Sequence, residues 1–109
     1  MSYKVKSIDV FEKQAKRLIK KYASLKNELN ALVADLKENP IQGTLLGNNC
    51  YKIRMGIASK GKGKSGGARI ITNVIIVEHT IYLLSIYDKS EKDSLSDSEL
   101  NLLLKSIPR

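Results

Sequence analysis

Between residues 9 and 36 the apolar positions recur every three or four residues. Phe11, Ala15, Leu18 and Tyr22 form one stripe, widened by Ile19, and the spacing predicts an amphipathic helix. Asp9 followed by Glu12 reads as a D-x-x-E capping box, so the helix is expected to begin there, after a short first strand in VKSIDV (residues 5–10). A second stripe runs through Leu25, Leu29, Leu32, Val33 and Leu36, with Ser24 in capping position and Asn39-Pro40 as its stop. Two such helices joined by a short turn form an antiparallel hairpin that needs something flat to cover.

The period then changes. In YKIRMGIA, Tyr51, Ile53, Met55 and Ile57 alternate with Lys52, Arg54 and Gly56, the pattern of a half-buried strand. ARIITNVIIV (68–77) is rich in β-branched residues, TIYLLSIY (80–87) is almost continuously apolar, and Glu78-His79 makes the tight connection between them. Ser96 and Glu99 form a further capping box ahead of a short helix carrying Leu100, Leu103, Leu104 and Ile107. The predicted order is β-α-α-β-β-β-α. Strands 51–58, 69–77 and 80–87 are expected to form a small antiparallel sheet, because their connections are too short for parallel crossovers. With the helices on one face, this is a compact α+β fold in a single domain spanning residues 1–109.

Composition narrows the class. A chain of 109 residues with 42% hydrophobic content can bury one core. No stretch approaches the roughly 20 apolar residues of a membrane span. MSYKVKSIDV has no apolar leader core, and the lone Cys50 has neither a disulfide partner nor ligand-spaced neighbours, so a cytoplasmic protein without membrane partners is expected. The charge is more informative. Nineteen basic against eleven acidic residues give +8 and favour polyanionic partners. No acid lies between Glu38 and Glu78, where Lys52, Arg54, Lys60, Lys62, Lys64 and Arg69 all fall, and acids return as a cluster from Asp88 to Glu99.

The electropositive middle centres on ASKGKGKSGGARI (58–70). Gly61, Gly63 and Gly66 match G-x-G-x-x-G, but a strand rather than a helix follows, so no dinucleotide site is expected. Gly63-Lys64-Ser65 ends like a phosphate-binding P-loop, yet Ala58 stands where its first glycine belongs. What remains is a lysine-bearing hairpin loop, flanked by Lys52 and Arg54 on the strand leading in and Arg69 on the strand leading out. Glycine lets backbone N–H groups approach a phosphate closely, and cations on rigid strands build a site rather than a tail. Lys13, Lys16, Arg17 and Lys20 make a basic face on the first helix; such a face ordinarily serves solubility, with phosphate contact as the alternative.

Three segments together resemble the RelE/ParE superfamily of bacterial toxins, in particular its HigB-type branch. They are FEKQAKRLIKKYASLKNELNALVADLKENPIQGTLLG, YKIRMGIASKGKGKSGGARII and YLLSIYDKSEKDSLSDSEL, in the expected order over most of the chain. The resemblance implies a toxin of a type II toxin–antitoxin system, acting as a ribosome-dependent endoribonuclease on translated mRNA. Its implied partners are the ribosome with its rRNA and mRNA, and a cognate antitoxin of HigA type with a helix-turn-helix domain. Two alternatives stand beside it: a ParE-like gyrase poison without nuclease activity, and an inactive basic module that binds RNA or antitoxin.

RNA cleavage by internal attack requires deprotonation of the 2′-OH, stabilisation of the phosphorane and protonation of the leaving 5′-oxygen. His79 is the single histidine, which excludes a histidine pair, and the basic middle has no carboxylate to hold a divalent ion. A cofactor-free, metal-independent site of Lys, Arg and Tyr is therefore expected. Crowded lysines depress one another's pKa, so one of Lys60, Lys62 or Lys64 is the expected base. Arg69 is the candidate for bidentate contact with the scissile phosphate, with Arg54 as a second. Tyr87 at the end of the last strand and Lys89 beside it complete the catalytic candidates, and Lys52 joins the phosphate-binding ones. Asp88 between them is unwelcome near a phosphate unless it pairs with Lys89 or points away.

Overall fold

A computed structural model of the chain describes residues 2–61 and 63–108, and the side chain of Lys64 lies outside that description. The elements are β1 (Lys4–Ser7), α1 (Asp9–Lys21), α2 (Leu25–Glu38), β2 (Thr44–Gly47), β3 (Cys50–Met55), β4 (Ala68–Ile75), β5 (Thr80–Asp88) and α3 (Asp97–Lys105), with single 3₁₀ turns at Ala58–Lys60, Lys64–Gly66 and Ile76–Glu78. The five strands form one sheet in the order β1-β5-β4-β3-β2.

The helical hairpin forms as its stripes predict. α1 buries Phe11, Ala15 and Leu18, and α2 buries Leu25, Leu29 and Leu36. The expected Asp9 capping box does not form. Ile8 takes the cap position in extended conformation, its N–H bonded to the Leu83 carbonyl at 3.3 Å, which places Asp9 inside the first turn. There Asp9 and Glu12 complement the helix dipole without capping it. Ser24 precedes α2 but does not cap it either; its hydroxyl bonds the Glu28 carboxylate at 3.0 Å. The Ser96–Glu99 box forms in full.

Strands β2 to β5 are antiparallel in succession, whereas β1 runs parallel to β5 along Lys4–Ser7, so the sheet is mixed. β2 is an addition to the predicted order. It hairpins onto β3 through Asn48 and Asn49, both left-handed at φ 51° and 60°, as a two-residue loop of type I′ demands.

The expectation that all helices share one face is also corrected. Residues paired across strands project to the same side, so Ile53, Ile70 and Ile86 share a face with Asp88, whose carboxylate meets Tyr22 at the end of α1. α3 lies against the other face, beside Asn73, Ile75 and Ser85. The central strand β4 is consequently buried from Ala68 to Val74. Beyond Leu83 the outer edge of β5 has no strand partner among the described residues, and Gln14 of α1 supplies an acceptor there, its amide oxygen accepting from the Ile86 N–H at 3.0 Å.

Candidate functional site

Register places three sequence candidates in one row. Arg54 of β3 pairs with Arg69 of β4, which pairs with Tyr87 of β5, so their side chains emerge on the same face at one end of the sheet. Lys52 lies two residues back on that face, opposite Ile71. Arg54 is exposed, whereas Arg69 and Tyr87 retain only 4% and 5% of their accessible surface. The Arg69 guanidinium donates to the carbonyls of Ala68 (3.2 Å) and Ser65 (3.3 Å). The Tyr87 phenol oxygen is buried and has no hydrogen-bond partner among the described residues. Burial pushes the Tyr87 phenol up from its ordinary pKa, against the opposing effect of the Arg69 charge. It is therefore protonated at neutral pH and available as a donor.

The segment after β5 borders this row. Lys92, Asp93 and Glu99 all act electrostatically on Tyr87, and Asp93 also feels Lys52. Lys89 bonds the Asp93 carboxylate and, at 2.8 Å, the Asp93 carbonyl. Lys92 pairs with Glu99 at 2.5 Å, and that lysine with the Ser96 cap holds the Glu99 carboxyl down at about 2. Lys89 is thus committed to a carboxylate rather than extended toward the row.

The glycine-lysine loop is less free than its composition suggests. Ile57 is fully buried at its start. The Ala58 N–H donates to the Glu28 carboxylate at 2.8 Å, and the Ser59 N–H to the Ser24 hydroxyl at 2.9 Å, tying the first turn to α2. At the far end a Cβ on Gly67 would stand 2.2 Å from the Met55 carbonyl oxygen, so only glycine allows the two backbones to approach as they do. Lys60 does not join the row. Its ammonium bonds Asp88 at 2.6 Å, on the opposite face of the sheet. Lys62 lies outside the described residues, and of Lys64 only the backbone, in the second 3₁₀ turn, is described.

Asp88 is resolved by the pleat: it points away from Tyr87 and pairs with Lys60 rather than Lys89. Burial alone would raise its carboxyl, but hydrogen bonds from Lys60, Tyr22 and Ser90 outweigh that and hold it far below the usual range. On α1, Arg17 and Lys21 both engage Glu91, at 2.6 and 3.0 Å. Lys13, Lys16 and Lys20 are exposed and have no ion pair among the described residues; the five cations line an open groove of about 560 Å³. Sequence reasoning missed Tyr22, Glu28, Ser90 and Glu91 as organisers of the site. Only Asp88 carried a signal, as an acid intruding among basic residues.

Comparison with known proteins places these observations. The structure superposes on a mutant of E. coli RelE toxin in the free state with a TM-score of 0.62, at 20% identity over 99% of this chain and 100% of that one. It superposes equally on the intact E. coli RelBE toxin–antitoxin complex, with a TM-score of 0.63 at 20% identity over 80% of this chain and 96% of that one. At such identity these matches establish a shared fold. A family model described as the RelE toxin of the RelE/RelB toxin–antitoxin system matches residues 8–107, and the chain belongs to that family.

Proposed function

We propose that this RelE-family chain is a metal-independent endoribonuclease that cuts translated mRNA on the ribosome and is silenced by a cognate antitoxin. One observation carries the reading: a neutral phenol oxygen, buried and without a partner among the described residues, set in register with two arginines at the end of the sheet. An unsatisfied buried hydroxyl costs stability, and its retention is understandable where a substrate oxygen completes it. In the proposed reaction the 2′-oxygen attacks phosphorus and the bond to the 5′-oxygen breaks, leaving a cyclic phosphate and a free 5′-hydroxyl. Arg54 and Arg69 neutralise the charge building on the phosphoryl oxygens, and Tyr87 gives its phenolic proton to the departing 5′-oxygen, which leaves as the hydroxyl. Lys62 and Lys64 remain the proposed bases for the 2′-hydroxyl. Lys52 and the free lysines of α1, Lys13, Lys16 and Lys20, hold ribosomal or message phosphates, with Arg17 assisting where Glu91 releases it.

The antitoxin is proposed on the strength of the relatives: E. coli RelE has been captured both in the RelBE complex and with a peptide of its antitoxin RelB. A helix-turn-helix antitoxin of HigA type and a cytoplasmic site of action belong to the same proposal; among the described residues no helix is long and apolar enough to cross a membrane. Primer extension on a defined message, with and without translating ribosomes, tests the activity. The expected result is cuts within codons on translated message alone. Message that stays intact in both arms would overturn the reading.

A further inference from the structure

Asp88 is fully buried, and the proposed chemistry does not use it. Its Oδ1 accepts from the Lys60 ammonium (2.6 Å), the Ser90 hydroxyl (2.7 Å) and the Ser90 N–H (2.9 Å), and its Oδ2 from the Tyr22 phenol (2.5 Å). Lys60 in turn donates to the Ser90 hydroxyl at 2.9 Å and to the Gly66 carbonyl at 3.1 Å. An ammonium has three protons, and all three are spoken for. To act as a base, Lys60 would have to lose a proton from inside a buried ion pair. The same ammonium reaches across the loop, joining its outgoing limb at Lys60 to its returning limb at Gly66. Next to Gly66 is Ser65, whose carbonyl receives the Arg69 guanidinium.

We propose that Asp88 is a positioning residue: by gripping Lys60 it ties the two limbs of the loop, at Lys60 and at Gly66, to the end of β5, and through Ser65 it sets the guanidinium of Arg69. Lys60 is then a strut between the end of β5 and the two limbs of the loop and takes no part in proton transfer. The functional half of this inference rests on the nuclease reading; the structural half stands without it.

The experiment compares the full-length wild type with Lys60→Arg, Lys60→Met and the double variant Lys60→Met/Asp88→Leu. Two readouts are taken: hydrogen exchange of the loop peptide and single-turnover cleavage on ribosomes. Arginine keeps a cation for Asp88 but cannot serve as a base near neutral pH, so Lys60→Arg is expected to keep wild-type exchange and cleavage within about threefold. Lys60→Met is expected to speed loop exchange by about tenfold or more and to slow cleavage by a comparable factor. The double variant, which leaves no buried charge unpaired, is expected to stay folded with the loop still fast to exchange, separating the clamp from global stability. Lys60→Arg that abolishes cleavage with exchange unchanged would place Lys60 in the chemistry and overturn the proposal. Loop exchange that stays at the wild-type rate in both Met variants would overturn it as well. Wild type that leaves message intact counts against the nuclease reading, and the exchange comparison then decides the clamp by itself.

Discussion

Tyr87 and Asp88 are neighbours in the chain, but the pleat of β5 sends them to opposite faces: one beside Arg69, the other into a cage of Lys60, Tyr22 and Ser90. Sequence shows that an acid sits among bases; it does not show which of them it meets. Lys60 lies 28 residues away and is reached only because the loop folds back over the sheet end. Lys60 is thereby committed to a carboxylate. The Asp88 carboxyl is held below its unfolded value, so its contribution to stability is fully present above about pH 4 and is lost as pH falls from there toward the folded value. Glu91, Asp93 and Glu99 are also held down by basic partners, and they remain in an Asp88→Asn variant. Urea unfolding of both proteins between pH 6 and pH 2 should thus show wild type losing about 2 kcal/mol more than the variant on acidification. Parallel pH profiles would mean that the buried pair contributes nothing in this window.

At the scale of elements, the helical stripes and the runs of β4 and β5 were legible because each buries a continuous apolar face. β2 was not, since all four of its residues are exposed and it has no alternation to read. β1 was legible as a strand, but its parallel pairing with β5 depends on a crossover made by both helices, which local pattern does not encode. The opposite-face position of α3 had a signal that was passed over: a near-continuous apolar strand has no solvent side, so both of its faces need cover. The two expected capping boxes show where local rules yield. Ser96 caps α3 in an exposed loop free to adopt the cap geometry, whereas Asp9 follows Ile8, which the sheet holds in extended conformation. Ser96→Ala should accordingly cost about 1 kcal/mol. Asp9→Ala should cost only about 0.3 kcal/mol, as the loss of a dipole contact. Equal losses in urea melts would contradict this distinction.

For the whole molecule, the net charge of +8 coexists with a cluster of acids after β5. Asp88, Glu91, Asp93 and Glu99 each bind basic side chains of the same chain, bracing the post-β5 segment against α1, the loop and α3. Arg54 at the sheet end and Lys13, Lys16 and Lys20 on α1 are among the exposed cations that have no ion pair among the described residues. In the proposed reading, one side grips structured RNA and the other meets message. Family membership and, apart from β2, the order of elements were readable from the chain; Arg54, Arg69 and Tyr87 were each named, but their alignment in one row depends on strand register, which local pattern does not show. The claim that this row performs RNA cleavage is tested most directly by Tyr87→Phe, which removes only the unpartnered oxygen. The account predicts a single-turnover rate on programmed ribosomes reduced by about 100-fold. It predicts, alongside, a fold as stable as wild type or more stable by about 1 kcal/mol. Wild-type cleavage by Tyr87→Phe would contradict the central claim.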